Sequence, residues 1–378
     1  MANIGDRPTL DIFRRHLATP AVSVVEHYQY LASELNSRVQ GRRCLYLDTR
    51  YWVFLRDAAL GRAQRPEHAA ILRVVRDRVA AGVAICPVSD AAVMELTTQT
   101  DDETRTATGE LWNELSQGVA LQTEQDRIRI ELEQFLLYPR EEDVPGPLQD
   151  LVWTRPSLVF GLAVPSSPQL SAEVNKALQK TSMDVLWGAT FSDLVKDSSE
   201  ALAMKNKFQQ TAKTINEKLK EHQHEIVSFE QTFVTEIAGA LNANEDLLSE
   251  AALRLYRRQG NPIEDVTEEQ LRNTRRQMRT MFTNLFRLKR TLVAKRLPTI
   301  YMQALCHAAF RMDLSRKFNG NFLRDLHHGT AGVVYHDAVL TEKPLAVLLT
   351  SGNVAADKLF GCRVMSDERD VLAYLENL

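Results

Sequence analysis

Four acidic side chains are candidates for chemistry because they lie at or near the predicted ends of apolar strands. Asp48 ends the run "CLYLD", and Glu342 follows the strand "AVLT". Glu95 lies in a helix predicted after "AICPVS", and Asp325 lies in a helix before "AVLT". Carboxylates in one pocket repel each other unless protons or metal ions neutralise them. Oxygen ligands select Mg²⁺ or Mn²⁺, and two such ions can clamp the attacking and leaving oxygens of a phosphodiester, with a metal-bound water as nucleophile.

Asp90 competes with Glu95 for a place in this pocket, because both lie in "SDAAVMEL". At about 3.6 residues per turn they are roughly 140° apart around a helix, so they cannot both face one pocket. Asp90 is already explained as a partner of the helix dipole in the first turn, with Ser89 as the N-cap. Glu95 is therefore the predicted ligand.

The stretch "NFLRDLHHGTAGVVYH" predicts a helix that carries Asp325 toward the site. Phe322, Leu326 and Val333 share one side of this helix and are predicted to be buried. Asp325 and His328 then lie together on another face. This arrangement places an acid and a histidine side by side.

Two further features of this helix bear on the site. Gly329 and Ala331 are small enough to let the helix lie close to the sheet. The pair His327 and His328 could orient a carboxylate or touch a phosphate, or it could be a pair of surface residues. Zn²⁺ is not predicted here, because no second cluster of Cys or His at ligand spacing accompanies the pair.

The order of the predicted elements indicates an α/β fold in which these acids meet. Residues 1–40 form a helical lead-in, and residues 41–100 alternate strand, helix and strand. Residues 101–296 show almost no strand pattern and are predicted to be a large all-α insertion, after which the alternation returns in 297–378. Strands that are apolar throughout suit a parallel sheet covered on both faces. Chemistry in such sheets gathers at the carboxyl ends of the strands.

The order of these residues resembles the PIN-domain ribonuclease superfamily. The first acid follows a strand in "LDT", as Asp48 and Thr49 do here; a Glu follows in a later helix, as Glu95 does; and an Asp opens a helix of the type "DLHHGTAG", as Asp325 does. The resemblance covers residues of about 40–100 and 297–378. It implies a parallel-sheet core with three α/β/α layers, carboxylate-held Mg²⁺ or Mn²⁺, and endoribonuclease activity.

The resemblance leaves the fourth ligand open. Many members of the superfamily carry an Asp two positions after the Thr of the last strand, whereas Glu342 follows Thr341 directly. The fourth ligand is therefore Glu342 or Asp337, or the site works with three acids. Thr49, Thr341 and His328 are expected beside the ligands.

A basic stretch precedes the second part of the predicted core. It begins with a capping box at Thr267–Gln270, and nine Lys or Arg and no acid lie between Arg272 and Arg296. Arg287, Lys289 and Arg290 are candidates for contacts with the phosphates of RNA, with the two arginines on one helix face. The alternative is that this helix pairs with the acidic segment "NANEDLLSE" or with a protein partner.

Composition narrows the choice of function. The net charge of −3 argues against a surface that is basic throughout. The four cysteines are scattered without a CxxC pair, no run is long enough to span a bilayer, and no leader is evident, so a reduced cytoplasmic protein is expected. Phosphate-binding and nucleophile-elbow motifs are absent from the sequence.

We expect a metal-dependent endoribonuclease, as in toxins or defence effectors. The competing hypothesis is a non-catalytic PIN-like scaffold whose helical segment binds a partner or a second copy.

Overall fold

The computed structural model describes residues 7–96, 99, 101–144, 146–195, 228–263, 266–312 and 320–378. The protein is mostly helical, at 70%, and contains one small parallel sheet of four strands. Across the described residues, no helix combines the length and the apolar character needed to cross a lipid bilayer.

The sheet is assembled from both ends of the chain. Its strands are β1 (Arg43–Leu47), β2 (Ala84–Ile85), β5 (Ala338–Leu340) and β6 (Arg363–Met365), while β3 (Ala120–Leu121) and β4 (Trp153–Thr154) form a separate antiparallel ladder. The order in the sheet is β2, β1, β5, β6, and all neighbours are parallel. Leu47 pairs with Leu340, so β1 and β5 end side by side. The prediction of a parallel sheet is confirmed.

Helices make up most of the remainder and are numbered here in chain order. The first ten are α1 (Arg7–Leu17), α2 (Val24–Val39), α3 (Thr49–Ala59), α4 (Pro66–Ala80), α5 (Asp90–Leu96), α6 (Asp102–Ser116), α7 (Glu124–Leu137), α8 (Pro156–Val159), α9 (Ala172–Gly188) and α10 (Phe191–Leu194). The others described are α11 (Phe229–Ala243), α12 (Glu245–Arg258), α13 (Glu268–Leu288), α14 (Arg290–Arg296), α15 (Pro298–Met312), α16 (Gly320–Tyr335), α17 (Lys343–Thr350), α18 (Ala356–Phe360) and α19 (Glu368–Glu376). The predicted capping box at Thr267 and Gln270 starts α13.

Helices cover both faces of the sheet. Successive side chains of a strand point to opposite faces, and along β1 Tyr46 joins one apolar cluster while Leu45 and Leu47 join the other. The first cluster includes buried side chains of α15 and α16, and the second includes those of α3 and α4. The four cysteines are buried and free.

The segment 101–296 differs from the prediction of an all-α insertion. It contains β3 and β4, which are too short to produce a period-2 pattern in the sequence. Ala120 also forms a parallel bridge with Val88, next to the central sheet. Trp112 of α6 packs edge to face on Trp52 of α3, with ring centroids 6.3 Å apart. The described part of this segment therefore shares its core with the sheet instead of packing as a separate unit.

Candidate functional site

Asp48 joins the end of β1 to the end of β5. Its Oδ1 accepts a hydrogen bond from the backbone N–H of Tyr51 at 3.1 Å, which makes it the N-cap of α3. Its Oδ2 accepts from the Thr341 hydroxyl at 2.5 Å and from the Glu342 N–H at 3.0 Å. The side chain is buried, and burial raises its carboxyl pKa. Asp48 ends the apolar strand because its carboxylate holds three donors at the sheet edge.

Glu95 reaches the same edge from α5. The Thr49 hydroxyl donates to its Oε2, and His328 Nε2 lies 3.5 Å from that oxygen. Burial raises the pKa of Glu95, but attraction to His328 and the bond from Thr49 outweigh it, so the net pKa is lowered. Glu95 is therefore held as a carboxylate. The choice of Glu95 over Asp90 agrees with this placement.

Asp325 of α16 is coupled to the other acids. Its pKa is raised to about 7: burial raises it most, the attraction of His328 lowers it, and the carboxylates of Glu342, Glu95 and Asp48 add to the rise. Leu326 and Val333 lie on the buried side of α16, as predicted, while the Phe322 side chain is outside the described part of the chain. Four acids from β1, α5, α16 and the end of β5 thus meet at one sheet edge.

The raised pKa of Asp325 makes the free energy of unfolding depend on pH. A folded-state pKa of about 7 exceeds the unfolded value of 3.8. The folded chain therefore binds more protons between these values, and the contribution of Asp325 to stability is lost as the pH rises from about 4 to about 7. We expect Asp325→Asn to weaken the decline of unfolding free energy with pH in EDTA. Urea unfolding at pH 5 and pH 8 measures this, and identical declines in both proteins would contradict it.

Glu342 and Asp337 lie at opposite ends of β5. Glu342 is exposed at the carboxyl end, where it begins α17. Asp337 precedes the strand, and its carboxylate accepts from Arg43 and from the Cys44 N–H, each at 2.8 Å. A parallel strand rises about 3.3 Å per residue, so Asp337, four residues before Thr341, lies about 13 Å from the acid cluster. The structure brings Glu342 to the site and leaves Asp337 outside it.

The two adjacent histidines serve different places. His328 is buried. Its Nδ1 forms a hydrogen bond with the Tyr46 hydroxyl at 2.6 Å, and its Nε2 lies 3.1 Å from the Thr49 hydroxyl. The Tyr46 hydroxyl in turn lies 3.0 Å from Ser89 Oγ. His328 is thus positioned by Thr49, which was expected beside the ligands, and by Tyr46, which the sequence pattern did not single out. Tyr46 in the middle of an apolar strand was the available sign, since a buried Tyr needs a partner for its hydroxyl.

His327 belongs to a second, buried network. Its Nε2 lies 3.1 Å from Asp90 Oδ2, which also accepts from the Glu124 N–H at 2.8 Å, and Arg127 lies 3.5 Å from Asp90 Oδ1. Burial lowers the pKa of His327, but Asp90 and Glu124 raise it to about 9. The interpretation of Asp90 as a helix-dipole partner alone was incomplete, because this acid pairs with two buried cations.

The closest approach of α16 to the sheet is at Gly332. A Cβ there would lie 2.9 Å from the Tyr46 ring and 3.0 Å from Val339 Cγ2. Gly329 is less tight, with Leu349 at 3.3 Å, and Ala331 is fully buried. The prediction that small residues let this helix approach the sheet was correct in kind but named Gly329 and Ala331 instead of Gly332.

The acid cluster offers the ligands that Mg²⁺ and Mn²⁺ prefer, since every candidate donor is a carboxylate oxygen. Its carboxylates are spaced more widely than those of a closed metal site. Within the described residues, the set whose ligand atoms all approach to within 4.8 Å is His16, His27 and Asp184, which lies elsewhere. The donor chemistry of the cluster fits a hard cation.

The basic stretch is interrupted where RNA contacts were predicted. Helix α13 ends at Leu288 and α14 begins at Arg290, so Arg287 and Arg290 do not share one continuous helix face. Arg290 donates to the Tyr301 hydroxyl at 2.7 Å, pairs with Glu230 at 2.8 Å and packs over the Phe233 ring. Arg290 is thus occupied within the fold.

Other cations of α13 partly match the alternative prediction. Arg275 donates to Ser249 at 2.6 Å and Arg279 to Asn242, so both reach the segment "NANEDLLSE" or its margin through neutral groups. Arg287 and Lys289 remain exposed.

If RNA lies along this stretch, the two exposed cations should behave differently from Arg290. We expect Arg287→Gln and Lys289→Gln each to reduce the salt slope of RNA binding by about 0.7 unit per lost phosphate contact. Arg290→Gln should instead lower the Tm, because it loses its hydroxyl, carboxylate and ring contacts. Binding titrations at two salt concentrations and thermal unfolding measure both effects. Unchanged slopes would remove this stretch from the RNA path.

Comparisons with protein-family models, curated proteins and solved structures find no match to this chain. The chain is a mostly helical protein whose small parallel sheet carries acidic side chains at the carboxyl edge.

Proposed function

We propose that this protein is a metal-dependent nuclease of the PIN-like kind that cleaves RNA. The observation that supports this most directly is the meeting of Asp48, Glu95, Asp325 and Glu342 where parallel strands end, with Asp48 bonded to the end of β5. Parallel α/β sheets place their chemistry at this edge. The choice of RNA follows from the PIN-like order of these residues in the sequence.

The cost of gathering these acids argues for a cation as their purpose. Like charges in one partly buried site destabilise the fold unless a counter-charge is present. Among the described cations, Arg324 lies at Glu95, and His328 attracts Glu95, Asp48 and Asp325, but neither replaces an ion that all four acids could share. When bound, Mg²⁺ or Mn²⁺ would supply Lewis-acid chemistry, polarising a phosphodiester and activating water.

Each side chain at the acid cluster then has a specific role in holding the cation. Asp48, Glu95 and Asp325 would hold the cation, with Asp48 oriented by Thr341 and Tyr51. Thr49 and His328 fix the direction of the Glu95 carboxylate. Glu342 is exposed, so it would complete the site on its solvent side.

A non-catalytic scaffold is the second candidate, and one observation favours it. Both oxygens of Asp48 are already bonded to donors of the chain itself, which is also what a purely structural cap would do. On this view the acids tie the strand ends together, and the helices of residues 101–296 bind a protein partner.

The test is incubation of the purified protein with a mixed RNA pool in Mn²⁺, Mg²⁺ or EDTA, together with thermal unfolding in the same buffers. A nuclease should cleave with the cations and stop in EDTA. Cation binding to the native state should raise the Tm. A protein that neither cleaves RNA nor gains stability with Mn²⁺ or Mg²⁺ is the scaffold.

A further inference from the structure

A second cluster of potential metal ligands shares no residue with the acid site and differs from it in its donor atoms. His16 of α1 and His27 of α2 both point their Nε2 atoms at Asp184 of α9. The distances are 2.8 Å to Oδ2 and 2.6 Å to Oδ1. The three ligand atoms all lie within 4.8 Å of one another, and no other set in the described part of the chain does so.

The donors of this cluster suit a transition metal better than Mg²⁺. Imidazole nitrogen is a preferred ligand of Zn²⁺ and its neighbours, whereas Mg²⁺ takes oxygen. Two His and one carboxylate also form a known three-ligand set for Zn²⁺ that leaves a fourth position open. We propose that His16, His27 and Asp184 bind one divalent transition-metal ion of the Zn²⁺ class.

The surrounding residues hold the three ligands in place. Lys180 of α9 donates to the carbonyls of Thr19 and Val22 at 3.0 and 3.1 Å, and Lys176 donates to the Pro20 carbonyl at 3.0 Å. The turn between α1 and α2 is therefore fastened to the helix that carries Asp184. This limits the movement needed to bind an ion, and preorganisation of this kind favours binding.

Burial supports a specific site over a chance surface cluster. The His16, His27 and Asp184 side chains are only 8%, 12% and 15% exposed. Two of the described cations compete with an ion here. The charge of Lys180 acts on Asp184 and His16, but its ammonium is held by the Thr19 and Val22 carbonyls. Arg15 lies 3.4 Å from Asp184 with its side chain 66% exposed. An exposed arginine can turn into solvent when an ion takes its place, so it does not block the site.

The alternative is a hydrogen-bonded triad that needs no ion, with each imidazole donating to Asp184. A glutamine at position 27 can place its amide nitrogen near the position of the imidazole Nε2. It would therefore keep the hydrogen bond to Asp184 but make a poor ligand. His27→Gln separates the two roles, and Asp184→Asn provides an independent removal of the carboxylate.

The ion would fasten the N-terminal helix pair to α9, a role that neither requires nor implies nuclease activity. Stripped full-length protein is titrated with Zn²⁺, with calorimetry for stoichiometry and thermal unfolding for stability. We expect one ion per chain and a rise in Tm of about 3 °C at a hundredfold excess over Kd. His27→Gln and Asp184→Asn should lose both effects while keeping any Mn²⁺ response of the acid site, and Asp48→Asn should keep the Zn²⁺ response.

X-ray absorption of the zinc-loaded wild type gives a readout that does not depend on the variants folding. It should show two imidazole nitrogens and oxygen at about 2.0–2.1 Å. Sulfur ligands, an absent Zn²⁺ response in the wild type, or an undiminished response in folded His27→Gln would each overturn the proposal.

Discussion

Asp48→Asn should lower the rate of Mn²⁺-dependent RNA cleavage at least about a hundredfold. Asparagine keeps the size of the side chain but removes the charge at the centre of the acid cluster. A cation in such a site contributes several kcal/mol of transition-state stabilisation, and about 1.4 kcal/mol corresponds to a factor of ten. Single-turnover cleavage at saturating Mn²⁺ measures the loss. Undiminished cleavage would show that this cluster is not the active site.

The same variant should remain folded, because two opposing effects act on its stability. Removing a buried charge relieves repulsion within the cluster. However, an asparagine side chain has only one oxygen acceptor. Its NH₂ group must therefore face either the Tyr51 N–H or the two donors at Thr341 and Glu342, and the hydrogen bonds on that side are lost. Loss of an N-cap bond costs about 0.5–2 kcal/mol. Urea unfolding should therefore show a change in unfolding free energy within about 2 kcal/mol, which separates lost chemistry from lost structure.

Two variants at the ends of β5 serve as matched controls. Asp337→Asn alters an acid of the same strand that lies outside the cluster and pairs with Arg43. It should leave cleavage nearly unchanged. Glu342→Gln alters the exposed acid at the site, so it should raise the Mn²⁺ concentration needed for half-maximal cleavage. If neither variant moves that concentration, the site works with three acids.

The sheet edge was predictable because short apolar runs from both ends of the chain suit a parallel sheet, and parallel strands end at one edge. Asp48, Thr341 and Glu342 follow directly from that rule. The position of Asp337 also followed from it, because this acid precedes the strand "AVLT" and so belongs at the opposite edge. Asp337 is close to Thr341 in the sequence, which made it a candidate ligand, but the direction of the strand places it at the opposite end of β5.

Other features could not be predicted because they depend on contacts between distant parts of the chain. The pairing of Asp90 with Arg127 and His327 requires the fold to bury three charged groups together. His16 and Asp184 are 168 residues apart and meet only through the packing of α1 on α9. The break at Lys289 carries no Gly or Pro that would mark it.

Gly332→Ala should destabilise the protein by about 1–3 kcal/mol, the usual cost of overpacking a tight core. The new methyl group would lie 2.9 Å from the Tyr46 ring and 3.0 Å from Val339. Both neighbours belong to central strands and cannot retreat without moving the sheet. Helix propensity favours Ala over Gly by about 1 kcal/mol, so a net loss of stability would show that the steric term dominates. Urea unfolding measures this difference.

Gly239→Ala is the matched control, because Gly239 also lies within a helix but a Cβ there would meet no atom within 4 Å. That variant should gain up to about 1 kcal/mol. Gly332→Ala should also reduce cleavage, because lifting α16 away from Tyr46 moves His328 and Asp325, and a displacement of about 1 Å can cost as much as a hundredfold in rate. Equal stability changes in the two variants would contradict the close approach of α16 to the sheet. A destabilised Gly332→Ala that cleaves at the wild-type rate would show that this approach supports the fold without positioning the site.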